Sequence, residues 1–435
     1  MSTLKAKHYT RSLEAVRPEQ LGLVADIQGL RLTVTGISAA VGDLLEVSGV
    51  AGPVPVEVVA SIRGRLTCLP LGSTTGLRSG DHVRSCGGGL RIRVGEELRG
   101  RVLDGLGRPL DGGALPDDMV SVPVEHPAPN ALSRPRIDQQ LGLGVRAMDA
   151  LTPCGRGQRL GIMAGSGVGK SSLLSMIARG TDAEISVIAL IGERGREVRE
   201  FIENDLGPEG LARSIVVVAT SDEPPVVRLR AAFVATRIAE WFRDSGRHVV
   251  LMMDSVTRVA LAQREIGLSA GEPPATRGFP PSVVALLPQL LERAGTSPAG
   301  SITGLYTVLV EGDDMQDPIG DTARSILDGH IVLSRELATR GHFPSIDVLE
   351  SISRVAPAIT GPEAKQDAQR LRRLMAAHRS VRELVEIGAY VAGTDPDADT
   401  ALRLNPQIEA FLRQDMGDVS EAAGTWAALH QLVAA

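Results

Sequence analysis

The rhythm of apolar and polar positions changes three times along this chain. Residues 1–20 are polar, with Leu4, Tyr9, Leu13 and Val16 as their few larger apolar groups. They read as a loose or weakly amphipathic extension that either binds a partner or frays. Over 21–95 the rhythm has period two. "LRLTVT" alternates cleanly, "VPVEVVA" and "LRIRV" behave similarly, and turn residues separate them. Short strands so closely spaced predict a small β-barrel or sandwich. A Gly/Pro-rich passage, from "LDGLGRPLDGGALP" to "VEHPAPNALSRPRID", reads as a connector.

Over 96–360, continuous apolar runs alternate with amphipathic helical stretches. The runs are "RLGIMA", "ISVIALI", "SIVVVAT", "HVVLMMD", "YTVLVEG" and "HIVLS". Wholly apolar strands alternating with helices predict an α/β domain with a parallel sheet covered on both faces. Ligands of open α/β sheets sit at the carboxyl ends of the strands, where these runs give way to Gly, Ser, Thr, Asp or Glu. Residues 361–435 turn Ala/Arg/Leu-rich with helical spacing and predict a small C-terminal helical domain.

Composition narrows the class. With 435 residues, 43 % apolar and 23 % charged, the chain is globular and large enough for two or three domains. Its net charge of −6, without long runs of one sign, announces no affinity for nucleic acid or acidic membrane. Cys68, Cys86 and Cys154 are widely spaced and form no C-x-x-C, which suits incidental thiols in a reducing cytosol. No signal-peptide core and no run of about 18 apolar residues is present, so the protein is expected to be soluble and cytoplasmic. Of 46 basic residues only Lys5, Lys7, Lys170 and Lys365 are lysine, so a lysine within a motif carries weight.

The chemistry gathers at the ends of the apolar runs. "RLGIMA" leads into "AGSGVGKSSLLSMIARG", whose residues 164–171 fit a phosphate-binding loop with alanine in place of the first glycine. Gly165, Ser166, Gly167, Val168 and Gly169 would present backbone N–H groups to phosphate oxygens, and the following helix adds its positive end. Lys170 would bridge the β- and γ-phosphates, Ser171 would hold Mg²⁺, and Ser172 continues the loop into the helix. Asp254, closing "HVVLMMD", is placed to hold a water of the Mg²⁺ shell. "ISVIALI" runs into "GERGREVREF", so Glu193 is placed to orient the water that attacks the γ-phosphate, and Arg194 to neutralise phosphate charge. Arg196 and Glu197 read as surface pairs on the next helix.

The order "AGSGVGKS", "GERGREVREFIE", "LMMDSVTR", "GEPPATRGFPPSV", "EGDD", "SILDGHIVLSR" and "SISR" resembles the flagellar and type III secretion export ATPases, relatives of the catalytic subunit of rotary ATP synthases. The likeness spans nearly the whole chain, weakest before residue 21 and after 415. It implies a RecA-like P-loop core between an N-terminal barrel and C-terminal helices, and a homo-hexamer with ATP and Mg²⁺ between subunits. It assigns Lys170 and Ser171 to phosphate and Mg²⁺, Glu193 to the catalytic carboxylate and Asp254 to the metal shell. Arg194 and Arg258 match phosphate-facing arginines. Arg354 matches the arginine that one subunit extends into its neighbour's site. Phe343 stands where the family usually has a tyrosine against adenine, keeping the stacking face without the hydroxyl. Tyr390 is a candidate for the other side of the base. The loop 271–283 is implied to face a central pore where a stalk protein touches it; without the resemblance it reads as a rigid surface loop.

The resemblance further implies a negative regulator or stator-like protein at the N-terminus, export substrates and chaperones, an export gate, and a cytoplasmic, peripheral place at the base of the export apparatus. Flagellar export is the leading reading, the injectisome ATPase the alternative, and a rotary synthase-type subunit or an RNA-translocating hexamer more distant ones. Residues 21–94 contain no Phe, Tyr or Trp to stack bases, which argues against nucleic acid as a partner. A regulatory, non-hydrolysing ring subunit would have no use for Glu193.

Overall fold

The computed structural model describes residues 20–310 and 317–434. The 1–19 extension and the "EGDD" motif at 311–314 lie outside the described residues.

Period-two alternation does build a closed barrel. Its strands are β1 (Leu21–Gln28), β2 (Arg31–Thr35), β3 (Asp43–Gly49), β4 (Gly52–Ile62), β5 (Arg65–Pro70) and β6 (His82–Gly89), in the order β1-β2-β5-β4-β3-β6 with β1 pairing β6. Alternate residues such as Leu32, Val34, Leu45, Val47, Val56 and Val58 fill the interior. Gly29, at φ 60°, makes the tight β1–β2 turn. Cys68 lies in this interior, where burial pushes its thiol up to about 12 and leaves it inert. "LRIRV" does not join the barrel. Arg91–Val94 (β7) pairs instead with Val120–Pro123 (β9), because alternation specifies a two-faced strand and not its partner.

The second unit holds the large sheet. Its further strands are β8 (Val102–Asp104), β10 (Gln140–Leu141), β11 (Cys154–Gly155), β12 (Arg159–Ala164), β13 (Ile185–Ile191), β14 (Ser214–Ala219), β15 (His248–Asp254), β16 (Gly295–Thr296), β17 (Ser301–Leu309), β18 (Gly329–Leu333) and β19 (Ile346–Ser353). The sheet runs β19-β18-β12-β17-β15-β13-β14-β8, parallel from β18 to β8, with β19 antiparallel at one edge and β16 a short antiparallel addition to β17. All seven residues of β13 and all six of β14 are buried, so both sheet faces are covered. Ile188, Leu190, Val216 and Met252 pack with Leu173, Leu174 and Ile177 of the Lys170–Gly180 helix on one face. The Pro225–Asp244 helix contacts β13, β14 and β15, burying Val234, Ala235, Ile238 and Phe242.

Three helices close the chain: Pro362–Glu386, Pro396–Leu412 and Ala422–Ala434. Asp395 caps the second by accepting from the Asp397 and Ala398 N–H groups, with Pro396 at its first position. Their Leu371, Leu374, Leu404, Ile408, Phe411 and Leu429 join the same apolar cluster as the sheet.

Two expectations are modified. The Gly/Pro-rich connector supplies β8, a three-residue edge strand too short for any periodicity to reveal. The 271–283 loop is helical at its end, since Pro281 opens the Pro281–Leu291 helix, where proline is pre-organised.

Arg101, next to β8, is bound by Asp111 at 2.6 and 2.7 Å. This pairing lowers the Asp111 pKa from 3.8 to about 2. A depressed carboxylate pKa adds stability above the unfolded-state value and loses it as pH falls through the folded one. Because solvent screens this exposed pair, Asp111→Asn is expected to lose only about 1 kcal/mol of unfolding free energy at pH 7. The gap should close between pH 4 and pH 2 in denaturant titrations, and a loss independent of pH would contradict the pairing.

Candidate functional site

The residues singled out above converge at the carboxyl ends of β12, β13, β15 and β17. The chain leaves β12 at Ala164, turns through Gly167 at φ 76° and Gly169 at φ 90°, and enters the helix at Lys170. The loop lines a cavity of about 870 Å³ with Gly165, Ser166, Gly167, Gly169, Lys170, Ser171 and Ser172. Val168 alone turns inward, and its carbonyl accepts a hydrogen bond from Ser345 Oγ at 2.5 Å.

Lys170 reaches across the cavity floor. Its ammonium contacts Asp254 Oδ1 and lies 3.3 Å from Glu193 Oε1. Burial works against this charge, but Asp254 and Glu193 outweigh it and hold the lysine above its usual range. Asp254 is 3 % exposed and also accepts from Thr307 Oγ1 at 2.8 Å. β17 lies between β12 and β15 in the sheet. Thr307 therefore reaches Asp254 from the strand opposite β13 and donates to the same Oδ1 that Lys170 contacts. Nothing in the sequence marks this threonine, because a threonine in an apolar strand reads as ordinary β-propensity.

Glu193 owes its direction to Gly192, whose φ of 71° ends β13 in a left-handed turn. A Cβ at Gly192 would also fall 3.0–3.2 Å from the Arg258 side chain. Arg258 lines the cavity, and its Nε is buried with no hydrogen-bond partner. An unpaired buried donor beside an ammonium and a glycine loop suits an anionic ligand. Arg194 lines the rim with its side chain 77 % exposed, 3.4 Å from Glu197. Arg196 pairs with Glu200 at 3.4 Å on the helix surface, as expected.

A hard cation also fits. The Ser171 hydroxyl and the Asp254 carboxylate are the oxygen donors that would hold it. Among the described residues no group of three or more His, Cys, Asp or Glu side chains forms a metal cage. Mg²⁺ suits such a place because it takes most of its ligands from phosphate and water.

Three expected residues stand apart from the cavity floor. Phe343 is 46 % exposed, with ring carbons 3.5 Å from where a Cβ on Gly169 would lie. Arg354 is exposed on the turn after β19, its N–H bound to the Asp328 carbonyl at 2.9 Å, and does not line its own chain's cavity. Tyr390 follows the Pro362–Glu386 helix and donates to Asp399 Oδ1 at 2.9 Å. It does not line the cavity either.

Residues 144–353 match the model of the ATP synthase alpha/beta family, nucleotide-binding domain, and residues 360–431 that of the T3SS EscN ATPase C-terminal domain. The flagellum-specific ATP synthase of Bacillus subtilis (strain 168) is 49 % identical over 417 residues, 95 % of each chain. The type 3 secretion system ATPase of Xanthomonas euvesicatoria is 50 % identical over 407 residues, 93 % of this chain and 92 % of the relative. This chain belongs to the flagellar and type III secretion ATPases. The assembled ATPase EscN of enteropathogenic E. coli has the same fold at a TM-score of 0.90 and 45 % identity, over 95 % of this chain and all of that one. EscN in complex with its central stalk EscO agrees at 0.88 and 44 %. The protein is thus a P-loop ATPase of type III export, and the α/β core between a barrel and C-terminal helices is the family's architecture.

Hydrogen bonds to charged groups contribute roughly 1.5–3 kcal/mol. Thr307→Val keeps the shape and removes the hydroxyl, so kcat is expected to fall tenfold or more in steady-state assays, with a fall of a few degrees in Tm. A kcat within twofold of wild type would exclude Thr307 from orienting Asp254.

Proposed function

We propose that this ATPase hydrolyses MgATP as a homo-hexameric ring and so energises flagellar protein export, with each site completed by a neighbouring subunit. The observation that carries the reading is the Lys170 ammonium held between Glu193 and Asp254 beneath the glycine loop. On this reading the loop N–H groups of residues 165–169 and the helix end at Lys170–Ser172 bind the phosphates. Lys170 moves from the carboxylates onto the β- and γ-phosphate oxygens. Ser171 and Asp254 would hold Mg²⁺, which would supply positive charge to offset that of the phosphates. Glu193, freed of the ammonium, accepts a proton from the attacking water as its oxygen bonds to Pγ and the bond to the β-phosphate oxygen breaks. Arg258 and Arg194 offset the charge that builds on the phosphoryl oxygens. The Phe343 ring packs on the adenine. Tyr390, whose hydroxyl is bound to Asp399, does not line this cavity.

Arg354 is supported as a trans-acting finger by its exposure and by its absence from its own cavity. Such an arginine contributes roughly 10³–10⁵ in rate where it is known. By the same resemblance we assign the 271–283 loop to a central stalk and the 1–20 extension to a negative regulator. Export substrates, their chaperones and the export gate would be met at the cytoplasmic base of the apparatus. Among the described residues no helix is long and apolar enough to cross a membrane. The flagellar assignment rests on the character of residues 386–414. The injectisome is the second reading, favoured equally by the identities of 49 % and 50 % to relatives of the two kinds. Neighbouring genes would distinguish them.

Glu193→Gln is expected to bind MgATP like wild type while turnover falls roughly 10²–10⁴-fold. Undiminished turnover would remove the glutamate from its role. Arg354→Ala and Lys170→Ala should each be inactive alone and regain activity when mixed, since a mixed ring pairs one intact pocket with one intact finger. Mixtures that stay inactive at every ratio, although native mass shows joint assembly, would confine Arg354 to its own chain.

A further inference from the structure

Residues 413–418, which follow the Pro396–Leu412 helix, run past both ends of the phosphate-loop helix. At the N-terminal end, the Gln414 N–H donates to the Phe343 carbonyl at 2.9 Å. Phe343 lies against Gly169, and two residues on Ser345 binds the Val168 carbonyl. At the C-terminal end, Arg179 donates to the Met416 carbonyl. Gly144 meets Gly180 there so closely that a Cβ on it would fall 2.7 Å from the Gly180 Cα.

Gln414 joins these contacts. It is 4 % exposed, and its side-chain amide is engaged at both ends. Oε1 accepts from the Arg146 N–H at 2.9 Å, while Nε2 donates to the Gly144 and Asp418 carbonyls at 2.7 Å each. An amide with both its donors and its acceptor committed has one orientation and is costly to lose, because removing it strands its buried partners. A second tie runs beside it. His342, 4 % exposed, has Nδ1 2.9 Å from Glu409 Oε2 on the same C-terminal helix.

We propose that Gln414 is a positioning residue for the base-side wall of the nucleotide site. Its side chain anchors the segment to Gly144, Arg146 and Asp418, and the main-chain N–H so placed holds the Phe343 carbonyl, and with it the ring, beside the phosphate loop, with the His342–Glu409 pair as the second tie. The inference rests on the reading that Phe343 meets the base. A ligand made only of phosphate seats on the glycine loop and does not feel this wall. A ligand that also carries adenine does. Loss of Gln414 therefore weakens nucleotide binding selectively, which general destabilisation of the fold would not do.

The test uses the full-length protein and compares ADP with inorganic pyrophosphate by calorimetry, alongside KM and kcat for ATP. For Gln414→Ala, the Kd for ADP and the KM for ATP should each rise about tenfold, with kcat far less affected and the pyrophosphate Kd within twofold of wild type. Glu409→Ala alters a partly exposed partner and should act in the same direction by about threefold; it decides the matter should Gln414→Ala not fold. Phe343→Ala is measured in parallel, and adding Gln414→Ala to it should cost little more, since one acts through the other. Equal weakening of ADP and pyrophosphate, or no weakening of either, overturns the proposal. If Phe343→Ala lowers ADP affinity while Gln414→Ala and Glu409→Ala do not, this inference falls and the base-side reading stands. If Phe343→Ala leaves ADP affinity intact, the base-side reading falls and takes this one with it.

Discussion

Two carboxylates near each other at the end of a buried sheet repel and resist desolvation, and this protein resolves the conflict with one lysine. Asp254 ends β15, and Glu193 lies just beyond its neighbour β13, so their proximity is fixed by parallel register. The Lys170 ammonium, delivered from β12 by the glycine loop, sits between them. Thr307, on the intervening β17, donates to the same Asp254 oxygen that Lys170 contacts. The remaining local features serve this arrangement. Gly192 aims Glu193, and Gly167 and Gly169 let the loop turn before the helix. The lysine neutralises the acids. On the proposed reading, phosphate draws the lysine away, and the acids then need a cation and a water. The site is therefore already arranged for its substrate, with opposing charges exchanging partners.

How much of this was legible depended on whether a residue's role is local. Wholly apolar strands, the glycine loop and the acids at strand ends carry their meaning in adjacent positions, and each could be placed before any coordinates. Partnerships between distant segments could not. "LRIRV" has the alternation of a barrel strand and pairs elsewhere. β8 is too short to show a period. β19 mixes buried and exposed positions in no regular order, as suits an antiparallel edge. Thr307 and Gln414 owe their importance to atoms far off in sequence, at Asp254, Gly144 and Phe343. Tyr390 shows the converse. The resemblance makes it a candidate for the other side of the base, and the structure binds its hydroxyl to Asp399, away from the lining of the cavity.

A division of labour follows between what one chain completes and what it leaves open. Phosphate loop, acids and Arg258 form a closed constellation within one subunit. Arg354 faces outward and does not line its own chain's cavity, whereas Phe343, half exposed, lies against Gly169 of its own phosphate loop. That asymmetry is what a shared site requires, since a subunit must offer one side of its pocket and lend its finger to another. The C-terminal helices join the sheet's apolar cluster and reach the Phe343 segment through Gln414 and Glu409, so the base-side wall belongs to the same packed body as the phosphate loop.

The most direct measurement of the central claim is an experimental structure of the protein with Mg²⁺ and a non-hydrolysable ATP analogue. The account requires the Lys170 ammonium on the phosphate oxygens, with Glu193 still facing the terminal phosphate and Asp254 still bound by Thr307. A Glu193 carboxylate turned out to solvent in a fully liganded subunit would contradict it.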